Sequence, residues 1–273
     1  MRTTNFKYDN QFLSDYGFVI CTFDGSSNGD TIDIGQKITF NTSPIGRGKR
    51  HSLAGVRYED CIQTTFEICK NPNIYDDMTI GENEYREIVR WLNRHTFLPF
   101  SLCDCNNIPT SCYFDASFNI GKILVDERLC GIELEMHTNS PFGYEDKKKE
   151  SYEFAAGEYS NVWVVKDYSD ETGYLYPDEV KVTCLESGNL SIVNKTMHSD
   201  THIRNCSEGE VILFNGITME ISTSNKEHDV YNDFNYDYFK IGNTFDNRRN
   251  EITVSLRCKI ELTYRPIVKN IPV

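Results

Sequence analysis

A chain of 273 residues with 39% hydrophobic and 12% aromatic residues carries enough apolar surface for folded cores throughout, which excludes a disordered chain. The length is about twice the commonest domain size and predicts two domains. The net charge of -13 is shared almost evenly, with 13 basic and 19 acidic side chains up to Gly143 and 15 and 22 after it. Such a surface disfavours phosphate backbones and anionic lipid, so neither nucleic acid nor membrane is an expected ligand.

The opening Met1-Arg2-Thr3-Thr4-Asn5-Phe6-Lys7-Tyr8 has no apolar core of signal-peptide length, and no run of about 18 apolar residues occurs, so folding in a cytoplasm is expected. Asp24-Gly25-Ser26-Ser27-Asn28-Gly29-Asp30 reads as a turn. Gly46-Arg47-Gly48-Lys49-Arg50-His51 is the one basic cluster. It lacks the Gly-Lys-Ser/Thr ending of a phosphate-binding loop and precedes a strand rather than a helix. It therefore reads as a flexible loop that meets an acidic neighbour, with Arg47, Lys49, Arg50 and His51 as candidate subunit-interface residues and another copy of this acidic chain as the partner.

Ile62, Thr64, Phe66 and Ile68 alternate with polar residues as a half-buried strand does. The exception to the β pattern begins at Thr79-Ile80-Gly81-Glu82, where Thr79 and Glu82 have capping-box spacing. Tyr85, Ile88, Val89 and Leu92 then form one apolar stripe, which predicts a helix of three to four turns lying across an open sheet face with Trp91 at the stripe's edge. Ile132, Leu134 and Met136 predict a closing strand. The break Ser140-Pro141-Phe142-Gly143-Tyr144 and the charged run 145–150, read as a solvated connection, divide the chain into domains 1–143 and 144–273.

Past the break, Val180, Val182 and Cys184 alternate, and Leu190 and Ile192 follow the turn residues Ser187-Gly188-Asn189. Asn215-Gly216 between two strand runs predicts a type I′ hairpin, because that turn needs positive φ at both central residues. The last run alternates through Ile252, Val254, Leu256, Cys258, Ile260, Leu262 and Tyr264, with Thr253 and its like pointing outward. Strands recurring with turn signals and no helical period predict an antiparallel β-sandwich, so the fold class is mainly β with one helix in the first domain.

Candidate chemistry is thin. Ten cysteines without an export signal read as reduced, mostly buried thiols. Cys103-Asp104-Cys105 with Cys112 and His95 lacks the paired spacing of a structural zinc site, and the stretch around Asp229, Asp233 and Asp237 lacks the Gly and closing Glu of a calcium loop and reads as a solvated β-edge. No Gly-x-Ser-x-Gly, His-Glu-x-x-His or dinucleotide-binding pattern occurs, so no enzyme, cofactor or metal is expected. Trp163 fits either a sandwich core or a sugar-stacking platform. The alternative function is thus a carbohydrate-binding module attaching to host cell-wall glycan through Trp163.

Several motifs in order resemble one family. Phe6-Lys7-Tyr8 with Tyr16-Gly17-Phe18-Val19-Ile20, the run from Lys49 through Leu53-Ala54-Gly55-Val56-Arg57-Tyr58-Glu59, the helix Glu84-Tyr85-Arg86-Glu87-Ile88-Val89-Arg90-Trp91-Leu92, the junction Asn139-Ser140-Pro141-Phe142-Gly143-Tyr144 and the ending Ile260-Glu261-Leu262-Thr263-Tyr264-Arg265-Pro266 resemble the distal tail proteins of siphophages and their prophages. The resemblance implies a β-barrel-like first domain with one helix that forms a hexameric ring at the tail tip. It implies a galectin-like β-sandwich as second domain, projecting outward. It also implies a structural hub in the virion, assembled in the bacterial host cytoplasm, that joins the tail tube to tail-associated and receptor-binding or baseplate proteins. DNA would pass through its lumen without specific binding.

Overall fold

A computed structural model describes residues 4–23, 38–46, 50–58, 61–104, 106–155, 157–244 and 246–269. The expected turn at 24–30, Arg47, Lys49 and Cys105 lie outside the described residues. The chain falls into two compact units, Met1–Tyr144 with Val268–Val273 and Glu145–Ile267.

In the first unit, β1 (Phe6–Tyr8), β2 (Gln11–Phe12) and a 3-10 turn at Leu13–Tyr16 lead to β3 (Phe18–Cys21). Then come β4 (Ile38–Pro44), β5 (His51–Tyr58), β6 (Gln63–Lys70), α1 (Glu82–Leu92), β7 (Leu98–Leu102), β8 (Phe114–Val125), β9 (Arg128–Thr138) and the short β10 (Gly143–Tyr144). Seven strands form one antiparallel sheet in the order β2-β1-β7-β8-β9-β6-β3. It curls back on itself, since Ile20 N–H at its far edge donates to Thr4 O just ahead of β1 (2.9 Å). Phe6, Phe66, Phe100 and Phe118 fill the interior, with ring centroids 5.3 to 6.2 Å apart. Rings at these separations add attraction beyond the area they bury.

The helix forms where the stripe predicts it, with two corrections. Its first turn is capped at Gly81, whose N–H donates to Glu84 Oε2 (2.7 Å), while Thr79 N–H donates to Asp77; the Thr79–Glu82 box is not formed. A carboxylate at the third helical position reaches back to the cap amide, so the real signal was Glu84. Trp91 is not at an edge. It is 3% exposed, lies flat on Tyr16 (4.5 Å) and Phe6 (5.6 Å), and donates from Nε1 to Tyr8 O (3.2 Å).

The second unit contains β11 (Lys148–Phe154), β12 (Trp163–Lys166), β13 (Gly173–Leu175), β14 (Glu179–Cys184), β15 (Gly188–Asn194), β16 (Ser199–Cys206), β17 (Val211–Asn215) and β18 (Glu220–Thr223). A one-turn α2 (Val230–Asp233), β19 (Ile241–Asn243), β20 (Arg249–Val254) and β21 (Cys258–Tyr264) follow, and β22 (Ile267–Val268) carries the chain out. Sheets β11-β21-β14-β17-β18 and β12-β20-β15-β16 share one core, with every pairing antiparallel. The charged run 145–150 is not all connection, because its second half opens β11.

The last alternating run is two strands rather than one. Leu256, 6% exposed, stays in the core while the chain crosses from β20 in one sheet to β21 in the other, so the period of two continues through the crossover. Thr253, expected outward, is fully buried on β20 between β12 and β15. The Asn215-Gly216 turn also differs. Asn215 pairs with Glu220, leaving a four-residue loop in which Asn215 Oδ1 accepts from the amides of Ile217 (2.9 Å) and Thr218 (3.0 Å), and the left-handed residue is Met219 (φ 55°). Gly216 serves close approach instead: a Cβ there would sit 2.1 Å from Pro177 O.

Candidate assembly surfaces

Among the described residues, exposed apolar side chains gather on two surfaces. The first is the β4–β5 hairpin, every residue of whose first strand is exposed. Its register pairs Ile38 with Tyr58, Phe40 with Val56 and Thr42 with Leu53 across a bulge at Ala54. Residues directly opposite in an antiparallel pair share a face, as do residues two apart on one strand. Ile38, Phe40, Leu53, Val56 and Tyr58 therefore line one side, with Thr39, Asn41, Ser43 and Arg57 on the other. Phe40 is 61% exposed, Leu53 58% and Val56 46%. A two-stranded ribbon is marginal in water by itself, and an apolar ribbon face invites pairing with another chain. Its base is fixed: the Tyr58 ring meets Phe142 edge-on (4.9 Å), and Lys269 Nζ donates to the Tyr58 hydroxyl (3.1 Å).

The turn of this hairpin holds the described part of the basic cluster. Arg50 and His51 are exposed there, and Arg50 O accepts from Ile45 N–H (3.0 Å). The sequence reading located Arg50 and His51 and missed the apolar stripe behind them, although Ile38-x-Phe40 and Val56-x-Tyr58 alternate plainly.

The second surface lies at one end of the Glu145–Ile267 unit, where Tyr174, Tyr231, Tyr236, Ile217 and Met219 are exposed. It grows out of the core: buried Phe214 touches buried Phe234 (5.7 Å), which in turn carries the Tyr236 ring (5.2 Å) and the Tyr238 ring (5.0 Å). The Tyr238 hydroxyl donates to Met219 O and ties this segment to the 216–219 loop. The segment 229–238 is thus not a β-edge. One helical turn leads into an irregular stretch, and the three carboxylates expected to be solvated each serve the fold. Asp229 caps α2 through Asn232, Asp233 pairs with Arg204 (3.3 Å), and Asp237 pairs with Lys240 (3.0 Å).

Trp163 does not belong to this surface. It is 6% exposed and stacked on Tyr152 (6.0 Å) inside the sandwich, so its ring has no free face for a sugar. Six of the nine described cysteines are buried, all nine are free thiols, and burial pushes the Cys103 thiol up to about 11 and that of Cys258 up to about 12. Among the described residues no group of His, Cys, Asp or Glu side chains is arranged to hold a metal ion, and no helix is long and apolar enough to cross a membrane.

The two antiparallel β units thus present an exposed apolar hairpin and an aromatic end. The chain belongs to a phage tail protein family: residues 1–140 match the phage tail protein N-terminal domain and residues 142–264 the phage tail C-terminal domain. Its fold is similar to the crystal structure of the SPP1 Dit (gp 19.1) protein, described as a paradigm of hub adsorption apparatus in Gram-positive infecting phages. The TM-score is 0.63 at 10% identity, over 97% of this chain and 99% of that one. No curated protein matches the sequence.

Proposed function

We propose that the chain is a ring subunit at the distal end of a phage tail, a structural hub without catalytic groups. In this reading the 1–143 domain closes the ring and the 144–273 domain projects outward as the attachment point for baseplate or receptor-binding proteins. The observation that carries it is the β4–β5 hairpin, whose apolar face and basic turn have the chemistry of one half of a contact between copies. A contact that joins two different patches on identical chains closes into a ring when the rotation allows. A basic turn on a chain of net charge -13 finds its complement on another copy's acidic surface. The fold likeness to the SPP1 Dit protein, described as a paradigm of hub adsorption apparatus, supports a hub role in the tail. In this reading the hub lies between the tube and the adhesion apparatus, the ring is hexameric, DNA passes through an acidic lumen that repels it, and assembly takes place in the host cytoplasm.

The test is light scattering on the full chain and on a Phe40→Ser, Val56→Ser variant. The wild type should have the mass of a closed oligomer, and the variant, with an unchanged far-ultraviolet circular dichroism spectrum, the mass of one chain. A variant that assembles like the wild type would remove the hairpin from the interface.

A further inference from the structure

The aromatic end of the Glu145–Ile267 unit is held in a constrained arrangement. Tyr236 is 62% exposed, yet its backbone is held in the left-handed region (φ 61°), which a bulky side chain adopts only when its surroundings impose it. The restraints are visible on every side. Its hydroxyl donates to Tyr231 O (3.0 Å). The preceding Asn235 accepts through Oδ1 from the amides of His202 (3.1 Å) and Asp237 (3.2 Å), and donates from Nδ2 to Asp200 O (2.7 Å). One side of the ring rests near Phe234, and the ring stands in solvent.

A second ring is delivered by a separate element. Tyr174 lies on β13, which pairs with β19 through Tyr174 and Gly242, and Gly242 is in turn pinned by fully buried Asn250, whose Oδ1 accepts from Gly242 N–H (3.0 Å) and whose Nδ2 donates to Gly242 O (2.9 Å). Tyr174 is 63% exposed. Lys240 and Asp237 link the two segments: the ammonium lies 5.8 Å from the Tyr174 ring centre and 3.0 Å from Asp237 Oδ1, and Asp237, whose Oδ2 accepts from Asp200 N–H (3.2 Å), follows Tyr236 in the chain.

We propose that this end of the unit binds a neutral saccharide, with Tyr236 and Tyr174 as stacking platforms and the Asp237–Lys240 pair as hydrogen-bonding partners for its hydroxyls. The chemistry of such a ligand is amphipathic. Its C–H face suits the open side of an aromatic ring, and a vicinal diol suits a carboxylate that accepts beside an ammonium that donates. Anionic ligands are disfavoured by Asp200, Asp229, Asp233 and Glu220 on the neighbouring segments. Size argues against a protein occupant. Tyr174, Tyr231 and Tyr236, each about 60% exposed, together with Ile217 and Met219 offer on the order of 600 Å², less than the roughly 800 Å² each partner contributes to a stable protein interface. A ligand of a few sugar rings fits that area. The inference is independent of the ring reading, since a monomeric chain would keep the platform.

The experiment probes the full-length protein with an immobilised panel of neutral oligosaccharides (maltotriose, chitotriose, N-acetyllactosamine, galactan and rhamnan fragments) and their sialylated, sulfated or phosphorylated counterparts, followed by saturation-transfer NMR on any positive. At least one neutral glycan should bind, and its affinity should fall about tenfold or more in Tyr236→Asn, which keeps a residue tolerant of the left-handed backbone but removes the ring. Tyr174→Ala, on a separate strand, should weaken the same glycan. Silence across the neutral panel, capture of anionic glycans alone, or neutral binding indifferent to both substitutions would overturn the proposal.

Discussion

At the scale of single residues, the most consequential group outside the two surfaces is His228, of which 2% of the side chain is exposed. Its Nδ1 lies 2.6 Å from Glu210 Oε1 and its Nε2 3.3 Å from Asp233 Oδ2, so it clamps the start of α2 to the chain leading into β17. Arg204 and Cys206 from β16 and Thr223 from β18 complete its charged and polar surroundings. Burial works against the imidazolium, but the Glu210 bond and the charges of Glu210 and Asp233 outweigh it and hold the His228 pKa above its ordinary 6.5. Burial likewise disfavours the Glu210 carboxylate, yet its bonds from Thr223, His228 and the Ser207 amide hold it below 4.5. The raised histidine contributes stability that is full below 6.5 and is lost as pH rises through its folded value. The depressed glutamate contributes stability that is present above 4.5 and is lost as pH falls through its folded value. The thermal midpoint should therefore be highest between about pH 4.5 and 6.5 and decline toward pH 9. His228→Gln should lose about 3–5 kcal/mol at pH 6, because it strands a buried carboxylate, and should flatten that decline. A variant with the wild-type slope in pH-dependent calorimetry would show that the clamp does not titrate as described. Nothing in the sequence announced this pair, since Glu210 and His228 are brought together only when β17, β18 and α2 fold.

At the scale of elements, sequence periodicity was informative wherever one strand or helix kept one neighbour. The stripe of α1 and the alternations at 62–68, 132–136 and 180–184 all sit on the elements they implied. It failed where tertiary contacts chose between local options. Asn215-Gly216 is the strongest local hairpin signal, yet the glycine is used for its missing Cβ against Pro177 O and not for a left-handed φ. Gly216→Ala should accordingly destabilise the 145–267 unit by about 1–3 kcal/mol in chemical denaturation, since the carbonyl it would strike belongs to the backbone. An unchanged midpoint would mean that the 216–219 loop relaxes freely. The run 252–264 misled for a different reason: a crossover residue that stays buried leaves the alternation intact, and no period of two reports a change of sheet.

At the scale of the whole molecule, the mainly β character, with one long helix among the described residues, was legible because apolar alternation dominates both halves of the chain. The surfaces were legible only in part. The basic cluster marks Arg50 and His51 at the hairpin turn, but a sequence cannot separate apolar residues that fill a core from those that stay open, so Phe40 and Leu53 carry no surface signal and Trp163 fits either a core or a sugar platform. Composition supplies the aromatics, and topology decides which of them reach solvent. What covers the exposed hairpin decides the proposed role, and the proposed occupant, suited to its apolar stripe and basic turn, is a second copy of the chain. Negative-stain electron microscopy of the purified full chain over a range of concentrations tests this most directly. Annular particles with sixfold symmetry and an open centre are expected; a field of particles no larger than one chain at every concentration would rule out the proposed ring.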